Sequence, residues 1–218
     1  MDSQQLAPAG GLREVICSEV GRPGTRDLVD IYFDPDWGFA GLLFDGAAVL
    51  TDNPPDEFTA HDLLATTLLD VSVSAKATAA LLGGHRRNEA LGKVSAHAKL
   101  WEGDEDAMRC ADDLWHLLCE LEGIGPVIAG KLLARKRPNL IPIVDSVILK
   151  ALPLAGSAWR DLSLALADVE TRVNIEAVRG DVPSSISTLR LLDVSVWMLH
   201  SGGTRAIAAR TAAGIGPT

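Results

Sequence analysis

A tight bend between two helices near the middle of the chain constrains the fold more than any other feature. It lies in LCELEGIGPVIAGKLLARKRPNLIPIVDSVILK, residues 118–150. Over Glu105 to Leu121 an amphipathic stripe of Ala111, Leu114, Trp115, Leu118 and Leu121 predicts a helix that ends at the bend. Gly123 and Gly125 supply permissive backbone, and Pro126 suits the first position of a second helix, where its missing N–H needs no partner. Two helices joined this closely form a hairpin, predicted over 115–137. The first N–H groups of the second helix have no partner inside it, and the helix dipole adds positive charge there, so the bend is a candidate phosphate seat. Lys131, Arg135, Lys136 and Arg137 then place four cations within seven residues, with Lys131 and Arg135 spaced to share a face. Pro138 stops the helix, Pro142 favours an extended LIPIV, and Asp145 opens the next helix.

The rest of the readable pattern is helical. Thr59 and Asp62 predict a capped helix carrying Leu63, Leu64, Leu68 and Leu69. A second helix is predicted over Ser74 to Leu82, ended by Gly83 and Gly84 and followed by a polar loop of His85, Arg86 and Arg87. Trp159, Leu162, Leu166, Val169 and Val173 step by three and four, as one amphipathic helix would. The last strong helix, in STLRLLDVSVWMLHSGG, is apolar nearly all round and is expected to be buried. Before residue 50, IYFDPDWGFAGLLFDGAAVL mixes aromatic, Gly and Asp residues without helical spacing and predicts short helices or turns, while the opening ten residues look loose. With no repeat and no strand alternation, the expected class is all-α. One compact helical body is expected over 51–218, with residues 1–50 packed on it or completing it.

Composition narrows the function classes. The longest apolar runs, such as Ile124 to Ala129 and Val194 to Leu199, fall well short of the roughly 20 residues that cross a bilayer. MDSQQLAPAG has neither a basic n-region nor an apolar h-region. A cytoplasmic protein without a membrane partner is expected. Cys17, Cys110 and Cys119 are odd in number and lack CxxC or zinc-like spacing with the five histidines, so neither a disulfide frame nor a metal centre is expected. A net charge of −9 opposes a phosphate-coated partner, but the charge is uneven. Residues 1–120 hold 9 basic and 21 acidic groups, whereas residues 121–218 hold 11 basic and 8 acidic, so an anion-binding face belongs to the second part.

LEGIGPVIAGKLLA resembles the LPGxGxxTAxxxL hairpin of the helix-hairpin-helix base-excision DNA glycosylases, and IPIVDSVI resembles the VDTHV segment that carries their catalytic aspartate. The twenty residues from Gly125 to Asp145 match the endonuclease III branch, and DLLATTLLDVSVSAKATAALL resembles that branch's early helices. The likeness touches residues 58–82 and 115–150. The K-L-L-A-R-K-R-P block also resembles that of an uncharacterised family. The resemblance implies a glycosylase-like helical fold, DNA bound through its backbone phosphates by Gly123, Gly125, Val127, Lys131, Arg135, Lys136 and Arg137, and Asp145 as the charged catalyst of a monofunctional N-glycosylase. It implies no cofactor, with a monovalent cation at the hairpin left open. Val127 stands where bifunctional relatives carry a Schiff-base lysine, so no lyase step is expected. The loop that would fill the gap left by a flipped base is shortened in LLDVSVSAKAT, and the four-cysteine cluster ligands are absent.

Each of these residues also has a plainer role open to it. Asp145 suits a helix N-cap, the glycines suit a turn, and the four cations suit a solvated helix C-terminus. Trp101, Trp115, Trp159 and Trp197 fit apolar stripes as core residues as well as they fit a base pocket. Asp193 needs a partner inside its apolar helix, and Arg190 is three residues away. A non-catalytic hairpin module that binds DNA or a protein is the alternative to the enzyme.

Overall fold

The structure is a computed structural model that describes residues 9–39, 41–45 and 53–216. Among the described residues there are thirteen α-helices and no strand, so the fold class is all-α. No described helix is long and apolar enough to cross a membrane. Expectations for residues 1–8, 40 and 46–52 lie outside the described residues.

The helices gather into two compact units. Among the described residues, one comprises 9–33, 100–103 and 144–216. The other comprises 34–39, 41–45, 53–99 and 104–143. Helix α2 (Thr25–Phe33), with Leu28 and Val29 fully buried, packs on helix α12 (Thr188–His200) far along the chain and so joins the first unit.

In the first unit α12 is the central element. It packs against α1 (Ala9–Val20), α2, α9 (Ser146–Ala151), α11 (Val169–Glu176) and α13 (Thr204–Ala212). A helix with neighbours on so many sides must be apolar nearly all round, and ten of its thirteen residues are buried. Its buried carboxylate, Asp193, pairs with Arg190, whose Nη2 also donates to the Tyr32 hydroxyl at 2.6 Å. The stretch from Trp159 to Val173 is two helices where the spacing predicts one. Helix α10 (Ala158–Leu166) ends, and Asp168 restarts the chain as the N-cap of α11 by accepting from Thr171 N at 2.8 Å. Val169 and Val173 fall on the exposed side of the second piece.

The second unit holds α3 (Gly41–Asp45), α4 (Ala60–Thr67), α5 (Ala75–Leu82), α6 (His85–Gly92), α7 (Glu105–Cys119) and α8 (Pro126–Lys136). The capping box forms as expected, with Thr59 N donating to Asp62 Oδ2 at 2.8 Å. Ser74 caps α5 by accepting from Ala77 N. His85, Arg86 and Arg87 open a helix and not a loop. Gly84 serves as its N-cap, and Leu91 at its end is fully buried, which anchors the turn of chain that the polar residues leave exposed. Helix α8 packs on α7 and on α4, and Leu132, Leu133, Ala129, Leu114 and Leu118 form the core between them.

Candidate functional site

The predicted hairpin is present. Helix α7 ends at Cys119, the chain turns through Glu120 to Gly125, and α8 begins at Pro126. Trp115 is half-buried and ties the two arms, its Nε1 donating to Pro126 O at 3.3 Å. Gly123 adopts φ +96°, a left-handed backbone that only glycine takes without strain. Its inner side is backed by the start of α5, since a Cβ there would stand 2.7 Å from Ser74 Oγ. Across the same bend Lys76 of α5 donates to the Glu122 carboxylate, both side chains being largely exposed.

Gly125 is the N-cap of α8 in extended backbone, with no side-chain hydrogen bond to the helix's first amides and nothing within 4 Å of where its Cβ would be. The start of α8 is thus an uncapped helix terminus beside open space. Val127, in its first turn, is 40% exposed.

The four cations lie elsewhere than a phosphate strand requires, and this corrects the sequence expectation. Lys131, Lys136 and Arg137 are buried at 7%, 6% and 1% exposure, and Arg135 is half-buried. Lys131 and Arg135 do share a face, but that face is covered. Lys131 Nζ donates to Leu69 O just past α4 at 2.6 Å, and Arg135 Nη1 to Phe44 O of α3 at 2.7 Å. Lys136 Nζ reaches Asp62 Oδ2 at 2.8 Å, Asn53 Oδ1 at 2.7 Å and Pro54 O at 2.8 Å. Burial pushes the Lys136 ammonium below its ordinary value although Asp62 pulls it the other way.

Arg137 uses every donor of its guanidinium. Nε donates to Val94 O at 2.6 Å, Nη1 to Pro55 O and Lys136 O at 2.7 and 2.9 Å, and Nη2 to Asp56 Oδ1 and Leu91 O at 2.6 and 2.7 Å. Lys136 and Arg137 together clamp residues 53–56, and Arg137 also holds the end of α6, so the basic block is an internal staple. A signal for this was present in the sequence. Ala129, Leu132, Leu133 and Lys136 sit at i, i+3, i+4 and i+7, so Lys136 falls on the apolar stripe.

Asp145 is in the first unit, two residues after the chain leaves the unit that contains the hairpin. It is the N-cap of α9. Its Oδ1 accepts from Val147 N at 2.8 Å and from Ile148 N at 3.0 Å, and the residue is half-buried. The segment before it, 141–145, is neither helix nor strand, and Asp145 itself has extended backbone. Among the described residues its Oδ2 takes no hydrogen bond, so a capped carboxylate with one unengaged oxygen results.

The remaining candidates divide. Trp101 stacks under the guanidinium of Arg172 at 5.6 Å, and Trp197 meets the Tyr32 ring edge-on at 6.2 Å, both inside the first unit. No group of three or more His, Cys, Asp or Glu side chains among the described residues could hold a metal ion.

One family model matches the chain, over residues 25–200, and its description is a family of unknown function (DUF6308). No curated protein and no solved structure matches it.

Proposed function

The chain belongs to DUF6308, a family of unknown function, and within it we propose a nucleic-acid-binding protein whose helix-hairpin-helix grips a DNA strand through backbone amides. The observation that carries this reading is the uncapped start of α8, where Gly125 leaves the first amides without a side-chain partner beside open space. The helix dipole favours an anion at that point, and a backbone phosphate is the anion a hairpin of this kind can follow along a strand. Because Lys131, Lys136 and Arg137 are enclosed, the grip rests on amides more than on cations and displaces few counterions.

In this reading Asp145 is the charged catalyst of a base-excision step. A carboxylate held by two amides through Oδ1 keeps Oδ2 for stabilising the cationic sugar that develops as a glycosidic bond breaks, and for orienting or deprotonating a water. With Val127 in place of an amine nucleophile, the product is free base and an intact abasic strand. The test is incubation with duplexes carrying alkylated, oxidised or deaminated bases, followed by mass spectrometry for released base. Release that disappears in Asp145→Asn supports the enzyme; release at the wild-type rate in that variant overturns the role of Asp145.

A second reading, a hairpin module without chemistry, is favoured by the charge of its own unit. Residues 34–99 and 104–143 hold 16 acidic and ten basic side chains, a net −6, and three of the ten are enclosed. DNA binding without base release from any of the duplexes supports this module.

A further inference from the structure

We propose that the outer face of α6, carried by Arg86 and Lys93, is the cationic contact for a nucleic-acid strand and pairs with its backbone phosphates. This rests on the reading of the chain as a nucleic-acid-binding protein and supplies that reading with its cations. The unit that contains the hairpin has ten basic side chains, and most are engaged within it. Lys131 and Arg135 donate to carbonyls, Lys136 and Arg137 to carbonyls and carboxylates, Lys76 to Glu122 and Arg109 to Asp106. Arg87 turns inward, its Nη1 donating to Ala80 O at 3.3 Å. Arg86 and Lys93 are exposed, and their charged groups take no partner among the described residues.

The packing of α6 fixes which way these two cations face. Leu91 is fully buried and Asn88 Oδ1 accepts from Phe58 N at 3.1 Å, so both belong to the inner side. Arg86 and Lys93 are seven residues apart, about two turns, and Lys93 keeps helical backbone as the C-cap. They therefore stand on the outer side about 10 Å from one another along the axis, which is about three phosphate steps of one DNA strand. His85 shares this face, and Glu89 is its one carboxylate. Residues 85–99 hold four cations against Glu89 alone, whereas the rest of the unit holds 15 acidic and six basic side chains. The exposed carboxylates of α7, at Glu105, Asp106, Asp112 and Asp113, repel a phosphate strand and so steer it to α6. Helix α5 links this face to the bend. Its N-cap Ser74 stands against Gly123, and its eight residues, about 12 Å, lead to Gly84, where α6 begins.

The experiment is fluorescence anisotropy of a labelled DNA duplex titrated with the full chain at several salt concentrations. Wild type is compared with the neutral pair Arg86→Gln/Lys93→Gln, with the charge-keeping pair Arg86→Lys/Lys93→Arg, and with Arg109→Gln, which removes a cation already held by Asp106. All three side chains are exposed, and unchanged thermal melts by circular dichroism establish that the variants fold. The neutral pair is expected to weaken binding about tenfold and to flatten the salt slope by about 2, while the charge-keeping pair and Arg109→Gln bind as wild type does. Wild-type affinity and slope in the neutral pair overturn this inference and leave the hairpin reading standing. It is overturned equally by a loss in Arg109→Gln as large per charge removed, or by a loss in the charge-keeping pair as large as in the neutral one. No binding by wild type at the lowest salt overturns the nucleic-acid reading itself, and the role of α6 with it.

Discussion

Lys136 Nζ lies 2.8 Å from Asp62 Oδ2, with the two side chains 2% and 0% exposed. Two charges taken this far out of water are tolerated only because each is fully partnered, Lys136 by Asn53 and Pro54 as well, and Asp62 by Thr59 N. Lys136→Met therefore leaves a buried carboxylate without its counter-charge and should cost about 3–5 kcal/mol. Urea denaturation should show a lower midpoint with an unchanged slope, and adding Asp62→Asn should recover part of the loss.

The two hairpin glycines should respond to different degrees. Gly123→Ala must place a Cβ 2.7 Å from Ser74 Oγ at φ +96°, which should cost about 1–3 kcal/mol. Gly125→Ala, in extended backbone with open space around it, should cost less than about 1 kcal/mol. Thermal melts of the two variants check the ordering.

Asp145 carries a cap and, in the proposed reading, chemistry, and these separate by substitution. Asn caps a helix as well as Asp, so Asp145→Asn should leave stability nearly unchanged, while Asp145→Ala should lose about 1 kcal/mol. Base release should vanish in both.

Acid should loosen the first unit through Glu176. Burial raises its pKa, but hydrogen bonds from Arg179 and Thr188 outweigh this and hold the carboxyl below its ordinary 4.5. A lowered folded pKa contributes stability that is present above 4.5 and lost as pH falls through the lowered value. Asp168, held below its ordinary 3.8 by Thr171, acts in the same sense. Glu176→Gln should thus be less stable than wild type at neutral pH, with a gap that closes in acid. Urea midpoints across the acid range measure it, and a gap of constant size would contradict the assignment.

The parts of the fold that were legible in the sequence are those written in local signals. The α7–bend–α8 hairpin follows from Gly123, Gly125 and Pro126, the α4 cap from Thr59 and Asp62, and the burial of α12 from its unbroken apolar face. What was not legible depends on partners distant in the chain. Whether Arg137 faces water or carbonyls is decided by residues 55, 56, 91 and 94, and nothing in KLLARKRP records them. The break between α10 and α11 is hidden in the sequence because the valines at 169 and 173 keep helical spacing on a face that is exposed, although Asp168 before Thr171 is a capping signal.

The most direct test of the account is DNA binding by Gly125→Asp. An aspartate at this N-cap would satisfy the first amides of α8 with its own carboxylate and so fill the proposed phosphate seat while stabilising the helix. Anisotropy titrations in low salt should show saturable binding by the wild-type chain, with a salt slope much shallower than the roughly −3.6 that four phosphate-bound cations would give. Gly125→Asp should bind no DNA while melting at or above the wild-type temperature. Wild-type affinity in the folded Gly125→Asp protein would contradict the claim that these amides hold the strand.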